Sequence, residues 1–179
     1  VSIGDPTSMG DGIANNDSVL TANISGVTNL TLYNLSIADL TGIEDFAALT
    51  VLDCGGVQLN NLELSHNTTL INLSITGTNL IDSLSLTYLP NLEMIGINQN
   101  SGLNALNLEN MPNLYAVNIE YNDSLNSVYF TNCCSGLLNG GHTIFTCNGN
   151  TQLATFNING FLNADVLLLQ NNSLESIDL

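Results

Sequence analysis

LEMIGINQNSGLNALNLENMPNLYAVNIEYN, residues 92–122, carries one pattern three times. An apolar residue is followed at the third and fifth positions by two more: Leu92, Ile95 and Ile97, then Leu103, Leu106 and Leu108, then Leu114, Val117 and Ile119. Side chains alternate along a strand with a period of two, so the last two members of each triplet face the same way and mark a short strand. The triplets start 11 residues apart, so two of them bring the chain back to the same place after about 22 residues. The pattern predicts a β-rich solenoid with two short parallel strands per coil, forming two narrow sheets that face each other across a core of Leu and Ile.

The same triplet extends in both directions. It begins at Leu49, Leu59, Leu70, Leu80, Leu92, Leu103, Leu114 and Leu125, and only the one at Leu80 is stretched, closing one residue late at Leu84 and Leu86. Residues 1–26, rich in Gly, Asp, Asn and Ser, lack it and read as an irregular N-terminal cap, leaving residues 27–179 as the solenoid. In the first coil Ile37, Leu40, Ile43, Phe46 and Leu49 are spaced by threes, which suits a turn of 3-10 or α-helix on the return side. After Phe130 an insertion at about 131–141 interrupts the rhythm, which resumes at His142, Phe145 and Cys147. The step from Leu125 to His142 is 17 residues instead of 11, so about six extra residues leave one corner, a place where solenoids often carry function.

The two halves of a coil differ just past the strand. One kind carries Asn100, Asn122, Asn150 and Asn172; the other carries Leu89, Met111, Cys133 and Phe161. Asn at a buried bend bonds backbone groups that the bend would orphan, so the first set is expected to form a ladder from coil to coil.

Composition narrows the partners. A chain of 179 residues with 44% apolar content can fill a continuous core. Average usage would supply about 20 Lys and Arg in such a length; here there are none, against 16 Asp and Glu, for a formal charge of -16. Nucleic acid is excluded, since phosphate binding needs Lys or Arg, and so is an anionic membrane surface. Charged residues are only 9% of the chain and its polarity comes largely from 29 Asn, so neither a halophilic acidic shell nor an acidic disordered tail fits. The chain has no cleavage site for trypsin-like proteases, which points to an extracellular or cell-surface setting. The longest apolar run, Val166 to Leu169, is far short of a membrane span, and a chain opening on Val1 without a leader pattern reads as a mature secreted form or a fragment.

Residues able to do chemistry are few. Cys54 and Cys147 fall on core-facing positions, where Cys acts as a small apolar residue; a disulfide from Cys133 or Cys134 to Cys147 is expected to staple the insertion to its coil. The spacing of Cys133, Cys134, His142 and Cys147 matches no zinc ligand pattern, so no metal site is assigned. Calcium is a candidate only around Asp11 to Asp17, where DGIANND lacks the alternating ligand order of a calcium loop. His66 and His142 fall at unrelated places, and no Ser, Asp and His set shares one face, so no catalytic residue, cofactor or enzyme activity is expected. Asp53, Glu63 and Asp178 stand isolated at outward strand positions and read as a solvated face.

LPNLEMIGINQN (residues 89–100) and MPNLYAVNIEYN (residues 111–122) resemble the leucine-rich repeat consensus LxxLxLxxN, and the run from Leu30 to Leu52 looks like an internalin-type 22-residue repeat. ADLTGIEDFAALTVLDC (residues 38–54) and the stretch from Ser65 to Leu80 resemble secreted leucine-rich repeat domains of Bacteroidetes and flavobacteria. The resemblance covers about residues 27–179 and implies an adhesin or interaction module within a larger surface or secreted protein. Ser18, Ser83 and Ser124 each sit between an Asp and an apolar residue, which resembles the O-glycosylation signal of Bacteroidetes surface proteins. The expected function is a non-enzymatic extracellular repeat module for adhesion, protein interaction or structural assembly into a filament. Its partner would be a protein or glycan ligand, or another copy joined through the solenoid faces or ends. The rival reading is an ice- or glycan-surface-binding solenoid.

Overall fold

Past its first three strands the chain alternates between two sheets as it winds, and every ladder among the described residues is parallel. A computed structural model describes residues 21–78, 81–133, 143–159 and 165–178. A short helix, α1 (Thr21–Ile24), precedes β1 (Asn29–Tyr33) and β2 (Val51–Gly55), with one 3-10 turn at Ile43–Asp45 between them. Then come β3 (Asn72–Thr76), β4 (Ser83–Thr87), β5 (Met94–Asn98), β6 (Ala105–Glu109), β7 (Ala116–Glu120), β8 (Ser127–Thr131), β9 (Ile144–Thr146), β10 (Thr155–Asn157), β11 (Val166–Leu168) and β12 (Ser176–Asp178). Seven strands form one sheet in the order β1-β2-β3-β5-β7-β9-β11, and five form the other in the order β12-β10-β8-β6-β4.

The fold is a parallel β-solenoid of about 22 residues per coil. Successive strands of the larger sheet pair Asn29 with Val51, Val51 with Asn72, Asn72 with Met94, and Met94 with Ala116, steps of 21 or 22 residues. Ala116 then pairs with Ile144, a step of 28, which places the six extra residues between β8 and β9 without disturbing the register on either side. The register follows from the pleat: Leu30, Leu52, Leu73, Ile95, Val117, Phe145 and Leu167 form one inward column, and a slip by one residue would turn that column to solvent. Leu52, Leu106, Leu108, Val128 and Phe145 are fully buried, each contributing about 1.5–3 kcal/mol of transfer free energy. Where the insertion leaves the coil the core turns aromatic. Phe145 on the larger sheet meets Phe130 and Phe156 on the smaller one edge to face, with ring centroids 5.1 and 5.3 Å away.

Both corners after the strands bend through the left-handed region. Asn34, Gly56, Gly77, Gln99, Tyr121, Gly149 and Asn171 follow the larger sheet, and Tyr88, Asn110 and Asn132 the smaller, all at φ between 52° and 70°. Gly or Asn accepts this at low cost and Gln or Tyr does not, so the turn is imposed by ladders on both sides.

The structure corrects one expectation about the strands. Leu59, Leu62 and Leu64 are buried as the triplet requires, yet residues 57–64 form no strand. The preceding coil faces them with an irregular segment, to which Gln58 and Asn60 donate at Ile37 and Ala38, so no strand edge is offered and the smaller sheet starts at β4. Of the expected cap, only residues 21–26 are described, with Ile24, the last residue of α1, buried.

Candidate functional site

Alternation leaves every second strand residue of the larger sheet facing outward, and these line up in rows across the strands. The first row is Val51, Asn72, Met94, Ala116 and Ile144; the second is Asp53, Ser74, Gly96, Asn118 and Thr146. Together they line a groove of about 440 Å³. Its floor is low because Ser74, Gly96 and Ala116 are small, and Met94 and Ile144 rise beside it, 39% and 49% exposed. A Cβ placed on Gly96 would meet nothing closer than the Asn98 Nδ2 at 3.5 Å, so the depth of the groove is a matter of side-chain size and not of backbone necessity.

Asp53 stands at one end of the groove, and Tyr33 and Gly55 lie just beyond it. Tyr33 on β1 lies directly against Gly55 on β2, where any Cβ would collide with its ring. The edge of the ring thus occupies the space a side chain at position 55 would need, while Tyr33 stays 53% exposed. Its hydroxyl donates to Asp53 Oδ2, a bond that, together with desolvation and the carboxylate's charge, raises the phenol above its ordinary pKa. Asp53 Oδ1 and Asn72 Oδ1 are shielded from solvent with no hydrogen-bond partner. Each such acceptor costs about 1–3 kcal/mol. This corrects the reading of Asp53 as an isolated solvated residue. Asp178, read the same way, accepts from the Asn157 and Asn159 amides at 2.9 and 2.6 Å.

A second cavity, of about 460 Å³, opens beside the 3-10 turn and is lined by Leu40, Thr41, Ile43, Glu44, Asn61, Glu63 and His66. Its carboxylates are engaged with backbone. Glu44 accepts from Gly42 at 3.0 Å, and Glu63 accepts from Ser65 at 2.8 Å, which holds the Glu63 carboxyl below its usual pKa with help from His66. Among the described residues no group of three His, Cys, Asp or Glu is placed to hold a metal ion.

The structure places Asn100, Asn122, Asn150 and Asn172 in one column. Asn100 donates its backbone N–H and its amide to Asn122 Oδ1 at 3.0 and 3.1 Å; Asn122 does the same to Asn150, and the Asn150 N–H reaches Asn172 Oδ1. Each amide also donates inward to a strand carbonyl, Ile75, Ile97, Ile119 or Cys147. Thr78 extends the column one coil further, its N–H and hydroxyl both donating to Asn100 Oδ1, a member the Asn pattern alone did not show.

The expected disulfide is corrected. Cys54, Cys133 and Cys147 are free and buried. Cys133 follows a strand of the smaller sheet and donates to the Leu108 carbonyl, whereas Cys147 follows a strand of the larger sheet and accepts from the Asn150 amide, so each thiol is committed within its own wall. Burial pushes Cys54 and Cys147 to about 12 and Cys133 to about 11. Cys134 and His142 lie outside the described residues, as do Ser18, Phe161 and Asp11 to Asp17. Ser83 is exposed at the start of β4, and Ser124 is half-buried at a corner before Leu125.

No family model matches the chain, and no curated protein matches it. Among solved structures it is similar to the crystal structure of an internalin (inlF) from Listeria monocytogenes, at 13% sequence identity over 90% of this chain and 76% of that one, with a TM-score of 0.30.

Proposed function

We propose that the chain is a non-enzymatic protein-interaction repeat module of a secreted or cell-surface bacterial protein, engaging its partner through the outward face of the seven-stranded sheet. The observation that carries this is the groove: a row that is apolar but for Asn72 and a small, mostly polar row side by side on one parallel sheet. Apolar lining with a few polar groups is the usual make-up of a recognition surface. Adhesion or assembly into a larger surface structure follows if the partner is fixed to another cell or another subunit. The outward face of the five-stranded sheet is less suited to an ice lattice, because Tyr129, 43% exposed, rises from its middle row.

Panning a displayed peptide library on the protein tests the proposal, with Gly96→Leu as the counter-screen. The leucine has room on the backbone and fills the groove floor. Binders are expected to shift the backbone amide resonances of Ser74, Gly96 and Asn118 and to lose about tenfold or more in affinity for Gly96→Leu, the loss of about 1.4 kcal/mol. Binders that map to the five-stranded sheet, or that hold Gly96→Leu equally well, overturn it.

A further inference from the structure

We infer that the groove takes a protein segment bearing an arginine, whose guanidinium seats against the face of Tyr33 and the carboxylate of Asp53 while neighbouring apolar side chains run along Met94 and Ile144. This rests on the reading of the groove as a protein-binding surface and names the chemistry of the partner.

Beside the end of the groove, an exposed aromatic ring adjoins a carboxylate. Tyr33, 53% exposed, turns its ring edge to the Gly55 position, and the same ring is tied through its hydroxyl to Asp53, so ring and carboxylate keep a fixed relation. A guanidinium stacks on aromatic rings and pairs with carboxylates through its fork of N–H donors, so one group satisfies both features. Asp53 is the one carboxylate among the residues that line the groove. Nothing within the chain can supply the guanidinium: there is no Lys or Arg anywhere in the sequence, and the formal charge is -16. Charge complementarity therefore points to a basic partner, and the apolar first row suits the segment on either side of the arginine. A small sugar would also stack on Tyr33, but it brings no charge to a site whose only ionised group is an acid.

The chain contains no Trp, so the emission of a Trp-labelled peptide reports binding without background. The probe is Ac-Trp-Leu-Arg-Val-Arg-Leu-amide, compared with the same peptide carrying citrulline, the neutral isostere, at both arginines. The arginine peptide is expected to bind about tenfold more tightly than the citrulline peptide. Asp53→Asn and Tyr33→Leu are expected to weaken it by a similar factor, Tyr33→Phe to keep most of the affinity, and Glu175→Gln, an exposed acid on another side of the coil, to change it by less than about twofold. Circular dichroism and melting of each variant show that the solenoid is intact. Equal losses in Asp53→Asn and Glu175→Gln would reveal diffuse attraction to an acidic protein and overturn the assignment. So would equal binding of the citrulline peptide, or no binding at all. If the arginine peptide fails while panned peptides still map to the groove and are lost in Gly96→Leu, the protein-binding surface stands and only the arginine is wrong; if both fail, the surface is wrong too.

Discussion

A thiol in the wall of this solenoid is a packing atom first. Cys54 and Cys147 are wholly buried, and desolvation raises both to about 12 from an ordinary value of 9.0. The folded state therefore binds these protons more tightly than the unfolded chain does. The stability this gives is fully present below about pH 9 and is lost progressively as pH rises from there through about 12. Two results are expected. The melting temperature falls across that alkaline window, and iodoacetamide at about pH 8.5 leaves Cys54 and Cys147 unmodified in the native protein while labelling them in urea. Glutamyl endopeptidase is the enzyme for the peptide map, because trypsin has nowhere to cut. Labelling of the native protein at Cys54 as fast as in urea would show that the core opens at that strand.

The corner after each strand of the larger sheet is the element that joins one coil to the next. A left-handed residue makes the bend, and the residue after it, Asn in four coils, ties that bend to both neighbours. Asn122 alone accepts two hydrogen bonds from Asn100 and donates to Ile97 and Asn150, all of them buried. Asn122→Ala leaves those partners unmet without access to water, and the cost is expected to be about 3 kcal/mol, read as a fall in the urea midpoint with little change in slope. The same substitution at Asn113, which is exposed at the 2.8 Å bond its amide gives to the Pro90 carbonyl, is expected to cost less than about 1 kcal/mol. Near-equal costs would mean that the column is a set of independent bonds with no special burial. The column was legible because Asn recurs at the coil period. Thr78 was not, since a hydroxyl fills the same role with a different letter.

At the scale of the molecule the solenoid is a stack in which each coil touches only its neighbours, held by apolar columns and opposed by like charge. Sixteen acids with no Lys or Arg repel at every pH where they are ionised, and salt of about 0.15 M confines most of that repulsion to about 8 Å. The melting temperature is expected to rise between ~10 and ~300 mM NaCl, with calorimetry as the measurement. A flat response would show that the charges sit too far apart to oppose folding.

Periodicity determined the solenoid, the parallel strands, the coil of about 22 residues and the six-residue excess before β9, because a repeating apolar triplet can bury itself in only one register. The sequence likewise showed that no Lys or Arg lies within the chain. Only the tertiary structure decided that Leu62 and Leu64 are buried without belonging to a strand, since that depends on what the preceding coil offers as an edge. It also decided that Cys133 and Cys147 face separate commitments instead of each other. The groove, and the joining of Tyr33 to Asp53 over Gly55, were likewise out of reach of the linear text. Residues 20 and 22 positions apart become neighbours only when strands are set in register, and a depression exists only where small side chains from different strands meet.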